Sequence, residues 1–158
     1  MIVVLMGVSG AGKTTIGERL ARRLGWNLIE GDDYHPRENI AKMAAGIPLQ
    51  DDDRWPWLDA LNQRIRGERN AVLTCSALKE SYRQRLLAGV AEARIVYLHA
   101  PREVIAARVA QRKHKYMPAS LLDSQFAALE PPRGAIDIDV SGDAESAVRA
   151  IVAALQRD

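Results

Sequence analysis

The sequence predicts an α/β fold, a five-stranded parallel sheet with helices on both faces, and three features carry that prediction. Short apolar, β-branched runs recur at 2–6, 27–30, 71–75, 94–99 and 135–140. Helical patterns lie between and after them at 14–24, 36–45, 54–66, 79–87, 101–112, 119–129 and 144–156. Strands that alternate with helices need right-handed crossovers, which build a parallel sheet and cover both of its faces. The third feature is the run Gly7-Val8-Ser9-Gly10-Ala11-Gly12-Lys13-Thr14, which joins the first strand to the first helix and fits GxxxxGK[ST] at every fixed position.

The first run, Ile2-Val3-Val4-Leu5-Met6, has no basic residue before it and leads straight into the glycine loop, so it reads as a core strand rather than a signal peptide. The glycines let the loop visit positive φ and turn its N–H groups inward at a distance a Cβ would forbid. Lys13 supplies a mobile charge for the β and γ phosphates of a nucleoside triphosphate. The Thr14 hydroxyl can ligate Mg²⁺ at a helix start whose dipole favours the anion. The loop residues Gly7, Val8, Ser9, Gly10, Ala11, Gly12, Lys13 and Thr14, with Thr15 after them, are therefore the candidate ATP contacts. Helical spacing continues to Leu24, and Gly25 suits the C′ position.

Ligands of open α/β sheets bind beyond the carboxyl ends of the strands, so those segments carry the chemistry. The second strand ends in Glu30-Gly31-Asp32-Asp33-Tyr34-His35-Pro36, three carboxylates within four residues. One carboxylate there can hold the hydration shell of Mg²⁺ and another can orient or deprotonate an acceptor hydroxyl. Asp33 fits equally well as a cap for the helix beginning near Pro36, and His35 as a substrate contact or a turn residue. Asp51, Asp52 and Asp53 precede a helical pattern and read as helix-start residues that favour its dipole, not as a metal site. Arg54 behind them can hold an anionic substrate. Trp55 and Trp57 read as packing residues of a small helical unit.

The third strand ends in Thr74-Cys75-Ser76-Ala77-Leu78-Lys79, where small residues let a ligand approach. Lys79 can reach an anion there, and Ser76 equally fits a helix cap. The helix from Pro101 ends in Arg108-Val109-Ala110-Gln111-Arg112-Lys113-His114-Lys115-Tyr116-Met117-Pro118. This basic segment reads as a lid that closes on phosphates and neutralises charge developing during transfer. Pro36 and Pro101 suit a first helical turn, and Asp143 suits an N-cap of the last helix.

At 158 residues the chain amounts to about one domain. A net charge of +2 is too small to argue for nucleic acid, and no apolar stretch approaches the roughly 20 residues of a membrane span. Arg outnumbers Lys seventeen to five, which suits bidentate grasp of phosphate or carboxylate. Cys75 is the one cysteine, so it reads as a small buried thiol in a reducing compartment, and a cytoplasmic location is expected.

These residues resemble the small bacterial-type gluconokinases, within the P-loop small-molecule kinases that include shikimate kinase and adenylate kinase. The resemblance rests on Gly7 to Thr14; on Gly31-Asp32, His35-Pro36, Asn39, Lys42-Met43, Gly46, Pro48-Leu49, Asp51 to Arg54 and Pro56-Trp57-Leu58; on Cys75 to Lys79 with Tyr82-Arg83; and on Ser124-Gln125 with Leu129-Glu130-Pro131-Pro132. It runs to about Asp139. What it implies is a three-layer P-loop kinase domain over 1–158, related to nucleoside-monophosphate kinases, with an acceptor-binding helical subdomain over 31–70 and a lid over 108–125. The implied reaction is ATP- and Mg²⁺-dependent phosphorylation of D-gluconate on its 6-hydroxyl. In that scheme Lys13, Asp32 and Arg112 are catalytic and Arg108 and Arg112 join the nucleotide contacts. Asp32, His35, Arg54 and Lys79 hold the sugar acid, Thr14 and, through water, Glu30 serve the metal, and a homodimer is the assembly relatives suggest. The chain departs from the usual pattern in two places: Glu30 replaces an Asp, and His114-Lys115-Tyr116 replace a His-Phe pair that falls one residue later. The competing readings are a P-loop kinase for shikimate or another sugar acid, and a GTP-type or non-catalytic nucleotide-binding switch. No Asn-Lys-x-Asp guanine motif is present.

Overall fold

The computed structural model describes residues 1–111 and 119–157. The strands are β1 (Ile2–Met6), β2 (Asn27–Glu30), β3 (Ala71–Thr74), β4 (Ala93–His99) and β5 (Ile136–Asp139), all parallel, in the order β2-β3-β1-β4-β5. The helices are α1 (Lys13–Leu24), α2 (Arg37–Ala44), α3 (Asp51–Arg66), α4 (Glu80–Leu87), α5 (Arg102–Ala110), α6 (Ala119–Ala128) and α7 (Ala144–Gln156). No helix among the described residues is long and apolar enough to cross a membrane.

The central strand explains the layering. All five residues of β1 are buried because successive side chains point to opposite faces and both faces are covered. Val3 and Leu5 join a core with Ile16 and Leu20 of α1, Ile105 of α5, Leu122 of α6 and Val148 and Ile151 of α7. Ile2, Val4 and Met6 join a second core with Trp57, Leu58, Leu61 and Ile65 of α3 and Tyr82 and Leu86 of α4. Each fully buried aliphatic or aromatic side chain contributes about 1.5–3 kcal/mol, so these two layers are what hold the carboxyl edge of the sheet in register.

Helix ends follow local chemistry. Gly25 adopts φ 70°, its N–H donates to the Arg22 carbonyl and the Trp26 N–H to the Ala21 carbonyl, which is a Schellman stop for α1. Asp143 caps α7 by accepting from the Ser146 N–H at 2.7 Å. Pro36 and Pro101 stand one place earlier than a first helical turn: each is an N-cap with extended ψ, and its carbonyl accepts the first helical bonds, from Asn39 and Ile40 or from Val104 and Ile105. Helix α3 starts three residues before the 54–66 expectation, because Gln50 and Asp53 form a capping box that draws Asp51–Asp53 into the first turn. Lys79, not Ser76, is the N-cap of α4. A 3-10 turn over Gly31–Tyr34, absent from the sequence expectation, follows β2.

Gly31 marks the tightest approach at this edge: a Cβ there would lie 2.2 Å from the Thr74 carbonyl oxygen. Gly25 has positive φ but open space around the missing Cβ. Gly31→Ala is therefore expected to cost about 2–3 kcal/mol and Gly25→Ala about 1 kcal/mol. Urea unfolding midpoints measure both, and equal losses would contradict the close-approach explanation.

Candidate active site

The strand order places β1 between β3 and β4, so the loop leaving β1 opens at the point where successive connections diverge to opposite sides of the sheet. Ser9, Gly10, Gly12, Lys13 and Thr14 line a cavity of about 430 Å³ there. Asp32, His35, Ile40, Met43, Arg54, Trp57, Ser76 and Gln125 complete much of its wall. The phosphate loop and Asp32 thus face one space. Gly12 precedes α1 in a left-handed conformation, φ 88°, which a residue with a side chain adopts only at a cost. Lys13 Nζ donates to the carbonyls of Gly7 at 2.8 Å and Val8 at 3.1 Å, holding its charge over the loop.

Register brings three hydroxyl and carboxylate groups together beneath the loop. Glu30 and Thr74 are the terminal residues of β2 and β3 and are register partners. Thr14 Oγ1 and Thr74 Oγ1 each donate to Glu30 Oε2 at 3.1 Å, and the Gly31 N–H donates to Thr74 Oγ1 at 3.4 Å. Glu30 Oε1 is buried with no hydrogen-bond partner among the described residues. An orphaned carboxylate oxygen beside the Thr14 hydroxyl fits a hydrated divalent cation, which would supply the missing donor through a bound water. The described residues contain no cluster of three His, Cys, Asp or Glu side chains able to hold a metal ion.

Elsewhere on the cavity wall His35 stacks on Trp57 with ring centroids 4.1 Å apart and planes 16° from parallel. Trp57 is itself fixed, its Nε1 donating to the Gly31 carbonyl at 2.8 Å. Burial pulls the His35 pKa down to about 4, with Arg54 acting in the same direction and Asp32 opposing both, so the ring is neutral at physiological pH. Arg54 Nη1 donates to the Leu49 carbonyl at 2.8 Å and to Tyr82 Oη at 3.0 Å, and the guanidinium lies over the Tyr82 ring at 5.0 Å. Tyr82 donates in turn to Asp51. Burial and that bond to Asp51 push the phenol up to about 12, while the same bond holds the Asp51 carboxyl below its ordinary range.

Lys79 sits across the Tyr82 ring, 3.6 Å from Asp51 Oδ1, and is not among the side chains lining the cavity. Arg108 donates to the carbonyls of Val140 and Gly142, at the β5–α7 connection. Arg112 and the rest of the basic segment through Pro118 lie outside the described residues. Cys75 is buried, and desolvation, aided by the Asp32 charge and opposed by Lys13, pushes its thiol up to about 12, which makes it an inert core residue.

Three contributors had no role in the sequence reading. Thr74 was legible only as a polar residue closing an apolar strand. Gln125 fastens α6 to the phosphate loop, with Ser9 N–H donating to its Oε1 at 2.7 Å and its Nε2 donating to Ser9 Oγ at 3.2 Å. Asn39, 3% exposed, bridges His35 and the start of α3. The last two stood in the family pattern without an assigned task.

Residues 2–132 match a family described as an AAA domain. The chain is 48% identical to a gluconokinase of Gluconobacter oxydans over 82% of its own length and 75% of that protein. It is 43% identical to the thermosensitive gluconokinase of Escherichia coli, covering 89% of this chain and 79% of that one. The crystal structure of a gluconokinase from Sinorhizobium meliloti superposes with a TM-score of 0.91 at 45% identity, over 98% of this chain and 91% of the other. A shikimate kinase of Bacteroides thetaiotaomicron shares the fold, with a TM-score of 0.70 at 17% identity.

The His35 environment makes stability depend on acid. The folded pKa lies below the ordinary value of 6.5, so the unfolded chain binds a proton that the folded chain refuses as pH falls from about 6.5 toward 4. Stability supplied by the neutral ring is full above that window and is lost through it. Urea midpoints measured from pH 7 to 4 should fall less steeply for His35→Gln than for the wild type; parallel slopes would contradict the burial of an uncharged ring.

Proposed function

We propose that this chain, which belongs to the gluconokinase family, transfers the γ-phosphoryl group of ATP to the 6-hydroxyl of D-gluconate, giving ADP and 6-phospho-D-gluconate. The observation that carries this reading is the shared cavity, in which the phosphate loop faces Asp32, His35 and Arg54. Phosphoryl transfer asks a protein for positioning and charge stabilisation more than for covalent chemistry, and the cavity offers both.

The loop amides and Lys13 bind the triphosphate, Lys13 exchanging loop carbonyls for phosphate oxygens. Thr14, with Glu30 through a water, would hold Mg²⁺, which would supply positive charge to offset that of the triphosphate. Glu30 replaces an Asp of the family pattern, and its contacts to Thr14 and Thr74 support the same task for the longer side chain. Asp32 orients the 6-hydroxyl and accepts its proton as the oxygen–phosphorus bond forms and the bond to the β,γ-bridging oxygen breaks, releasing ADP. Arg54, held by Leu49 and Tyr82, presents a fixed guanidinium to the sugar acid and His35 completes that side, while Lys79, paired with Asp51 outside the cavity lining, would reach the sugar acid only by leaving that pair. Arg108 belongs to the nucleotide side, and Arg112 is assigned to the closing lid over 108–125. Residues 31–70 form the acceptor-binding part, and a cytoplasmic site of action agrees with the single buried thiol.

A coupled ADP-release assay across D-gluconate, other sugar acids, shikimate and no acceptor tests the reading. Gluconate should stimulate turnover above every alternative, and failure to do so would refute the substrate. Lys13→Ala should lower kcat about a thousandfold, near 4 kcal/mol of transition-state stabilisation, with the fold intact by circular dichroism. Arg54→Ala should raise the KM for gluconate at least tenfold while the KM for ATP stays within twofold; the reverse pattern would move Arg54 to the nucleotide side.

A further inference from the structure

The hydrogen bonds of Asn39 fix more than the packing of two helices. Its side-chain nitrogen Nδ2 donates to the Asp53 main-chain carbonyl at 2.9 Å. A carbonyl can only accept, so the amide group is oriented by its chemistry, with nitrogen on this side. The same nitrogen lies 3.1 Å from Nδ1 of His35. An amide nitrogen can only donate, so Nδ1 must accept, and the proton of the neutral ring must sit on Nε2. The ring lines the cavity, and no described residue is hydrogen-bonded to Nε2.

On balance the surroundings of the ring favour this state. Trp57 sets its plane from one face. Asp32 on the preceding turn favours a charged ring, Arg54 on α3 opposes it, and burial outweighs the carboxylate. Asp53, at the start of α3, turns its carboxylate to Lys42 of α2 and to the Gln50 N–H, at 2.8–3.0 Å, and so offers His35 no competing acceptor.

We propose that Asn39 is a positioning residue that locks His35 as the Nε2–H tautomer, so that the ring presents one fixed, uncharged donor to an oxygen of the sugar acid. The inference rests on the acceptor side of the cavity being the gluconate site. A fixed donor selects a substrate atom that can accept, a hydroxyl or carboxylate oxygen, and adds direction where Arg54 adds charge. An imidazole free to exchange tautomers would accept a hydroxyl proton as readily as donate one, and would select less.

Imidazole ¹⁵N–¹H correlation spectra of the whole labelled protein test the tautomer directly, with His35 assigned by the signals missing from a His35→Gln sample. The wild type should show a neutral ring protonated on Nε2 from pH 8 down to about 5; an Nδ1–H ring or an imidazolium at pH 7 would overturn the proposal. Asn39→Asp replaces the donor with an acceptor, so Nδ1 gains a proton and the ring titrates near neutrality. In that variant the KM for gluconate should be near the wild-type value at pH 6, where the imidazolium still donates from Nε2. It should be about tenfold higher at pH 8.5, where Nε2 has become an acceptor, and the KM for ATP should stay within twofold throughout. A pH profile parallel to the wild type in a folded Asn39→Asp protein would overturn the positioning role, and if that variant does not fold, the wild-type spectrum alone decides. Wild-type protein that ignores gluconate would sink the kinase reading while leaving the tautomer result intact, which separates the two failures.

Discussion

The constraint on which the site depends is the level alignment of three strand ends. Leu5 of β1 and Glu30 of β2 both pair with Thr74 of β3, so the loop after β1, the turn after β2 and the segment after β3 all open at one height. A parallel sheet with both faces buried cannot slip by one residue without turning apolar side chains into the wrong layer. The two cores around β1 therefore hold the register, and the register brings Thr14, Glu30 and Thr74 into one hydrogen-bonded group. Gly31 records the same constraint as a steric fact, since the chain leaving β2 passes too close to the Thr74 carbonyl for any side chain.

From that edge the two halves of the cavity are built by different physics. The half proposed for the nucleotide is main chain and charge, a glycine loop, the start of α1 and Lys13. The half proposed for the acceptor is side chains fixed by other side chains. Trp57 holds His35 and is held by Gly31, Arg54 is held by Leu49 and Tyr82, and Tyr82 by Asp51. Such chains cost conformational entropy once, at folding, so that little ordering is left for the moment of binding. Arg83, 3% exposed, performs the same service behind the wall, donating to the carbonyls of Ala77 and Glu130 and tying the β3–α4 connection to the segment after α6.

What could be read in advance divides along the same line. The loop from Gly7 to Thr14, the buried strand before it, the Gly25 stop and the Asp143 cap are local signals, and each stands where its chemistry put it. The acidic cluster after β2 was legible as a site because strand ends are where ligands bind. The separate tasks proposed for Glu30 and Asp32 rest on the family resemblance, because spacing alone does not say what β3 and α1 bring across. Ser76 as a cap failed to materialise because Lys79 took that position, and the α3 start moved because Gln50 and Asp53 reach each other. Asn39 and Gln125 were present only as letters in a family pattern. Their partners stand 14 residues away at Asp53 and 116 residues away at Ser9, and no periodicity encodes such contacts.

In the proposed reaction Asp32 and the phosphate loop act on one reacting pair across one cavity. The steady-state kinetics of Asp32→Asn test it most directly, because the substitution keeps size and shape while removing the proton acceptor. Its kcat should fall at least a hundredfold with the KM for ATP within twofold of the wild type. Turnover within a factor of two of the wild type would contradict it.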